Sequence, residues 1–388
     1  MVERIVYLDH NATTPLAPEV LEAMLPYLKD KYGNPSSIYK KGREAREAVE
    51  KARRIIALSL GIASEDLVFT SGGTESNNFA IKGVALANKC KGNHIITSKI
   101  EHLSVLNICQ FLERLGFEVT YLDVDKYGMM DPESVKKAIK KETILVTLMH
   151  ANNEVGTIEP IEEISRITRE REIYFHIDAV QSFGKIPFKI EDLGVDLLSL
   201  SAHKIYGPKG IGALYIRKGV NLFPLQHGGH QERKLRAGTE NVAGIVGFGK
   251  AVELVFDNFE KKRERIRYLR DKLEGGLMAR IENIYPIGHP TLRLPNTLNL
   301  GFAYLEGETI LINLDLKGIC ASVGSACTSG SLEPSHVLKA MGIPSEVIQG
   351  AVRFSLGETN TEEEIDYCLE VIPAIVKRLR RMSPFKNH

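Results

Sequence analysis

Leu67-Val68-Phe69-Thr70-Ser71-Gly72-Gly73-Thr74-Glu75-Ser76-Asn77 decides the fold. A short apolar strand passes through paired glycines into a segment that opens a helix, expected to reach about Lys89. The unit recurs downstream. Strands are expected at 94–98, 118–122, 143–149, 173–177, 196–200 and 213–216, with helices at 103–115, 132–140 and 161–171. These strands read as continuous apolar runs, the pattern of a parallel or mixed sheet covered by helices on both faces, so the fold class is α/β. A ligand is then expected beyond the carboxyl ends of the strands.

Towards the N-terminus lie a short strand at Val6-Tyr7-Leu8-Asp9, a polar turn, and a helix from about Ala17 to Lys29 starting near Pro18. A second helix follows, with Ala45, Val49, Ala52, Ile55 and Ile56 on one face, ending near Gly61. Beyond the sheet, 219–241 is rich in Gly, Arg and His and reads as irregular. A long amphipathic helix from about 242 to 280, interrupted near Gly275-Gly276, links it to a smaller unit. That unit reads strand (297–300), helix (307–316), strand (319–321), loop, helix (336–341) and strand (352–355). The last helix opens on the capping box Thr361-Glu362-Glu363-Glu364 and buries Ile365, Cys368 or Leu369, Ile372, Val376 and Leu379. Pro373 is expected to kink it or break its register.

With 388 residues, 43% hydrophobic, the chain can bury two or three folding units. Its net charge of +1 provides no global field for nucleic acid or a membrane. Lys377-Arg378-Leu379-Arg380-Arg381 reads as the solvated last turn of a helix. The first residues form a charged strand rather than an apolar signal segment, and no apolar run reaches the roughly 18 residues of a membrane span. A cytoplasmic protein with no membrane or nucleic-acid partner is expected. Five cysteines in so long a chain are expected to be reduced thiols.

The chemistry centres on Ser201-Ala202-His203-Lys204, followed by a Gly/Pro-rich turn, and on Asp178 at the end of the apolar run 174–178. A lysine able to form a Schiff base and an aspartate to pair with a ring nitrogen are what pyridoxal phosphate (PLP) needs. Gly72-Gly73-Thr74 ahead of a helix suits a phosphate, and Ser201 and His203 add donors. His102, at a strand end, suits a polar cap or a ring-stacking proton shuttle. Gln181 is placed to reach a ring hydroxyl. Asn152-Asn153 lie at the same edge, where a simple turn explains them equally. Arg353, flanked by apolar residues, calls for a carboxylate, from a substrate or from an internal salt bridge. Cys327 lies in a small-residue Gly/Ser run expected to be mobile and exposed, where a thiol can act as a nucleophile. Cys90, Cys109, Cys320 and Cys368 read as small core residues. In His227-Gly228-Gly229-His230 the glycines deny the helical register of a metal pair, and no metal is expected.

In order along the chain, Leu8–Pro15, Gly33-Asn34-Pro35-Ser36-Ser37, Phe69–Asn77, Glu101-His102, Ala151–Gly156, His176–Ser182, Ser201–Lys204, Arg236–Asn241, Gly324–Ser329 and Arg353-Phe354-Ser355 resemble the motifs of the cysteine desulfurases. These are PLP enzymes that mobilise sulfur for iron–sulfur clusters. The match is to the NifS/IscS type with a long catalytic-cysteine loop; His10 and Val323 depart from its pattern. The resemblance implies the aspartate-aminotransferase fold (fold type I). Residues 15–260 would form the large PLP domain. Residues 1–14 and 261–388 would form the small α+β domain, with the cysteine loop at 322–333. It implies that Lys204 holds the cofactor, Asp178 pairs with its ring nitrogen, Gln181 with its hydroxyl, and His102 stacks on it and transfers protons. Gly73, Thr74, Ser201 and His203 would bind the phosphate, with Thr239 from the other subunit of a homodimer. Asn34, Asn153 and Arg353 would hold the carboxylate of L-cysteine. Cys327 would take the sulfur as a persulfide, release alanine and pass the sulfur to an iron–sulfur scaffold protein. A selenocysteine lyase, an aminotransferase of the same fold and a PLP-dead docking scaffold are the rival readings.

Overall fold

A computed structural model describes residues 5–323 and 334–383. In chain order the elements are β1 (Val6–Tyr7), α1 (Pro18–Lys29), α2 (Lys40–Leu60), β2 (Leu67–Thr70), α3 (Gly73–Asn88), β3 (His94–Ser98), α4 (Leu103–Arg114) and β4 (Glu118–Leu122). Next come α5 (Pro132–Ala138), β5 (Thr143–Met149), α6 (Ile161–Glu170), β6 (Tyr174–Asp178), α7 (Ile190–Leu193), β7 (Leu197–Ser201) and β8 (Gly212–Ile216). The remainder is α8 (Val242–Phe256), α9 (Phe259–Met278), β9 (Ile284–Ile287), β10 (Thr297–Phe302), α10 (Gly307–Asp315), β11 (Ile319–Cys320), α11 (His336–Ala340), α12 (Ser345–Ile348), β12 (Ala351–Ser355) and α13 (Glu362–Met382).

The main sheet has seven strands in the order β2-β8-β7-β6-β5-β3-β4, with only β8 antiparallel to its neighbours. Successive residues of a strand point to opposite faces. Val68, Ile95, Leu145 and Leu197 accordingly join the core under α3 and α4. Their neighbours Phe69, Ile96, Val146 and Leu198 join the core under α2, α6 and α8. Both faces are apolar because both are covered. A three-stranded antiparallel sheet, β12-β10-β9, packs on α9 and α13 around a separate core. β1 pairs in parallel with β11 and carries Val6 and Leu8 into that same core, so the start of the chain joins its last third.

Several sequence expectations are corrected. The helical stretch after 242 breaks at Asp257-Asn258, where Asn258 has φ +52, and not at Gly275-Gly276. Gly276 serves packing, since a Cβ there would lie 2.5 Å from Leu369 of α13, whereas a Cβ on Gly275 would meet nothing within 4 Å. Helix α13 runs unbroken through Pro373. The proline leaves the Leu369 carbonyl without its helical donor, and Arg280 Nη1 supplies one at 2.5 Å. Arg380 is not a solvated cation, since it donates to the carbonyls of Glu282 and Asn283. Cys90 is exposed and Cys320 half-buried, whereas Cys109 and Cys368 are in the core.

Within 219–241, Glu232 is buried with φ +43 and makes a bidentate pair with Arg53, at 2.7 and 2.8 Å. It also accepts from Phe69 N–H at 2.9 Å, pinning β2. Breaking a buried pair leaves an uncompensated charge, so Glu232→Ala is expected to cost about 3–5 kcal/mol of stability. The urea midpoint measures it; an unchanged midpoint would mean that the loop does not anchor the sheet.

Candidate active site

A cavity of about 300 Å³ lies at the carboxyl ends of the central strands. Met149, Asp178 and Ser199 are level across β5, β6 and β7, so the loops that follow open on one edge. Gly73 and Thr74 line the cavity from the N-terminus of α3, and Ser201, His203 and Lys204 from the end of β7. Asp178 and Gln181 reach it from β6, and His102, Asn153 and Arg353 close the remaining walls.

The turn into α3 is a fitted anion cradle. Gly72 has φ +152, which a side chain would disfavour, and it provides no side-chain cap, so the first N–H groups of α3 stay available. A Cβ on Gly73 would lie 2.7 Å from Val180 Cγ2. His203 Nδ1 meets Thr13 Oγ1 at 3.1 Å. Burial, then the charges of Lys204, Lys209 and Lys185, push its imidazole down to about 4, so it is neutral at pH 7.

Asp178 is 7% exposed. Its Oδ1 accepts from Val180 N–H at 3.0 Å and its Oδ2 from Asn77 Nδ2 at 2.7 Å. Lys204 Nζ donates to the carbonyls of Asn11 and Ala12 at 2.5 and 2.8 Å. Gln181 Nε2 donates to Asn11 O at 2.9 Å, and its Oε1 accepts from Lys185 Nζ at 2.7 Å. Lys185 is half-buried; desolvation first, then the charges of Lys204 and Arg353, hold its ammonium well below the usual lysine range.

His102 takes the cap position that the sequence suggested, accepting from Ser104 N–H at the start of α4, and also stands in the cavity wall. Burial pulls its imidazole below the usual range, with Asp178 opposing. Arg353 likewise realises the internal pair while facing the cavity: its Nη2 reaches Asp9 Oδ1 at 2.7 Å and its Nη1 the Asn153 carbonyl at 2.9 Å. Its Nε is buried with no partner among the described residues, and these two bonds use two of the guanidinium's five N–H donors. Asn152 is the turn-former of the asparagine pair: its Oδ1 accepts from the N–H groups of Glu154 and Val155.

Two assigned residues are not brought into this cavity. Asn34 is exposed and caps its own turn through Ser36 N–H, and Thr239 is exposed on the 236–241 loop. Cys327 lies outside the described residues. The cavity also holds residues not singled out from the sequence: Asn11, Asn77, Ser104, Glu154 and His336. Asn77 carried a signal, since it follows Gly73 by one helical turn and so shares its face. His336 did not; its Nε2 donates to the Glu101 carbonyl at 2.9 Å only because α11 folds back onto the loop after β3. Among the described residues no group of three or more His, Cys, Asp or Glu is arranged to hold a metal ion. No helix among them is long and apolar enough to cross a membrane.

A lysine amine, a buried carboxylate, an uncapped helix N-terminus and a neutral histidine at one sheet edge fit PLP. The sequence matches the aminotransferase class-V family model over residues 6–368, and the chain belongs to this family of PLP-dependent enzymes. It is 58% identical over 386 residues to the cysteine desulfurase IscS of Dictyoglomus turgidum, covering 100% of this chain and 98% of that protein. To the cysteine desulfurase IscS of Methanosarcina thermophila it is 56% identical over 381 residues, 98% of this chain and 94% of the relative. A solved structure described as a NifS-like protein superposes with a TM-score of 0.92 at 44% identity, covering 97% of this chain and all of the other. Within the class-V family the chain is a NifS/IscS-type cysteine desulfurase, an enzyme that acts on L-cysteine.

Proposed function

We propose that this desulfurase moves the sulfur of L-cysteine onto Cys327, releases L-alanine, and hands the sulfur to an iron–sulfur scaffold protein. The observation that carries the reading is the meeting of Lys204, Asp178, His102 and Arg353 in one cavity. Lys204 is the covalent attachment point for PLP. Asp178 holds the ring nitrogen, Gln181 the ring hydroxyl, and Gly73, Thr74, Ser201 and His203 the phosphate. Bound PLP supplies the electron sink that carbon–sulfur cleavage requires. Arg353, with Asn153 beside it, orients the substrate carboxylate; the place of its guanidinium in the cavity wall supports this. His102 and Lys204 hold and move protons at the substrate carbons. In balance, the substrate's C–S bond breaks, an S–S bond forms at the Cys327 thiolate, and the carbon left behind takes a proton to become alanine.

We further infer a large domain at 15–260 and a small one at 1–14 and 261–388, a cytoplasmic location, and a homodimer. The dimer would bring Thr239 of one subunit to the phosphate of the other and bring Asn34 to the substrate. Its support is the cluster of large exposed apolar residues beside Asn34: Tyr32, Ile38 and Tyr39. Light scattering that shows a monomer would remove it.

The test is a single turnover with L-cysteine and mass spectrometry of the peptide containing Cys327. One added sulfur, matched by alanine, is expected. Cys327→Ala should still bind PLP and L-cysteine but form no persulfide; full sulfide release by that variant would overturn the assignment.

A further inference from the structure

His102 is held at one nitrogen by a neighbour with two faces. Its Nδ1 accepts from the Ser104 backbone N–H at 3.1 Å and meets the Ser104 hydroxyl oxygen at 2.8 Å. A backbone N–H cannot accept, so the neutral ring rests with its lone pair on Nδ1 and its proton on Nε2. The hydroxyl then donates to Nδ1 and accepts from Asn77 Nδ2 at 2.8 Å. The other hydrogen of that amide goes to Asp178 Oδ2 at 2.7 Å. The carboxylate decides the orientation of Asn77, because the flipped amide would set oxygen against oxygen. Asn77 Oδ1, turned away, is buried with no partner among the described residues, which marks the cost of that orientation. The result is an unbroken line Asp178–Asn77–Ser104–His102.

The resting tautomer is the wrong one for proton exchange. A ring that gives up or takes a proton at Nε2 must carry a hydrogen on Nδ1, and the backbone N–H opposes that hydrogen. The Ser104 oxygen, with a lone pair to spare beside Asn77, is the acceptor at hand. We propose that Ser104 is a positioning residue for desulfuration: by turning from donor to acceptor, its hydroxyl lets His102 hold a hydrogen on Nδ1 and exchange protons at Nε2. The inference rests on the proton-transfer role proposed for His102. The titratable groups facing His102 across the cavity are Asp178, Glu154, His203, Lys204, His336 and Arg353. Burial opposes the charged ring most, Asp178 favours it, and Lys204 and His336 oppose it.

The test uses PLP-loaded protein labelled with ¹⁵N-histidine, the His102 signal among the 11 histidines being assigned from the His102→Gln spectrum. Neutral His102 is expected to show a bare Nδ1. Ser104→Ala should lower its pKa by about one pH unit, the scale of a hydrogen bond to a charged group. Ser104→Thr, which keeps the hydroxyl, should restore it. The limb of the kcat/KM pH profile set by His102 should move in parallel. An unchanged His102 titration in Ser104→Ala, or a neutral wild-type ring protonated on Nδ1, would overturn the proposal. Full activity of His102→Gln with the titration still shifted would instead overturn the proton-transfer role of His102, and with it the link to desulfuration.

Discussion

Lys204→Ala is expected to bind PLP without a covalent bond and to release alanine from L-cysteine at least about a thousandfold more slowly. Lys204 ends the single 3₁₀ turn Ala202–Lys204 that follows β7, a strand buried along its length between β6 and β8, so its backbone position is set by the centre of the sheet. Its ammonium is drawn to the Asn11 and Ala12 carbonyls, and among the described residues it is the one lysine that lines the cavity. Lys185, which bonds the cavity residues Gln181 and Asn11 Oδ1, is held outside that lining. Borohydride reduction followed by mass spectrometry should fix PLP on the Lys204 peptide of the wild type and on no peptide of the variant. Alanine release at the wild-type rate would remove Lys204 from the chemistry.

Arg353→Ala should injure both stability and substrate binding, and the two effects are separable. Arg353 is 2% exposed and lies on β12, the edge strand of the small sheet, where it ties Asp9 and the Asn153 carbonyl together. Removing it strands Asp9, and the loss of a buried partner is expected to cost about 3–5 kcal/mol. It also removes the donor proposed for the substrate carboxylate, so KM for L-cysteine should rise by about tenfold to a hundredfold, the scale of a charge-assisted hydrogen bond. Asp9→Asn serves as the control: it disturbs the same internal pair but leaves the guanidinium in the cavity. A urea midpoint lowered in both variants, with KM raised mainly in Arg353→Ala, is the expected pattern. Equal KM values in the two would assign Arg353 a purely structural role.

Much of the site was legible because it belongs to strand ends. Asp178 closes an apolar run and Lys204 follows another, and a strand's exit point is evident once its apolar residues stop. The paired glycines before α3 announced a close backbone approach, and Gly72 at φ +152 shows why a side chain is absent. The capping box at Thr361 was equally local, and both of its reciprocal hydrogen bonds form. Reading the motifs as those of cysteine desulfurases identified the family over nearly the whole chain.

What escaped was set by distant partners. Pro373 looked like a kink or a register break because the donor that relieves it, Arg280, comes from beyond α9. Glu232 looked like part of an irregular polar segment because its partner Arg53 is on α2. The sequence by itself determined the α/β class, the family, the sheet edge where the cavity lies and most of the residues that meet in it, since each follows from local pattern or motif. Only the tertiary structure decided that Arg353 is shared between Asp9 and the cavity, that Asn77 and Ser104 join Asp178 to His102, and that Lys185 is bonded to Gln181. The physical reason is that a hydrogen bond depends on which atoms meet across the packed layers, and no spacing along the chain encodes that meeting.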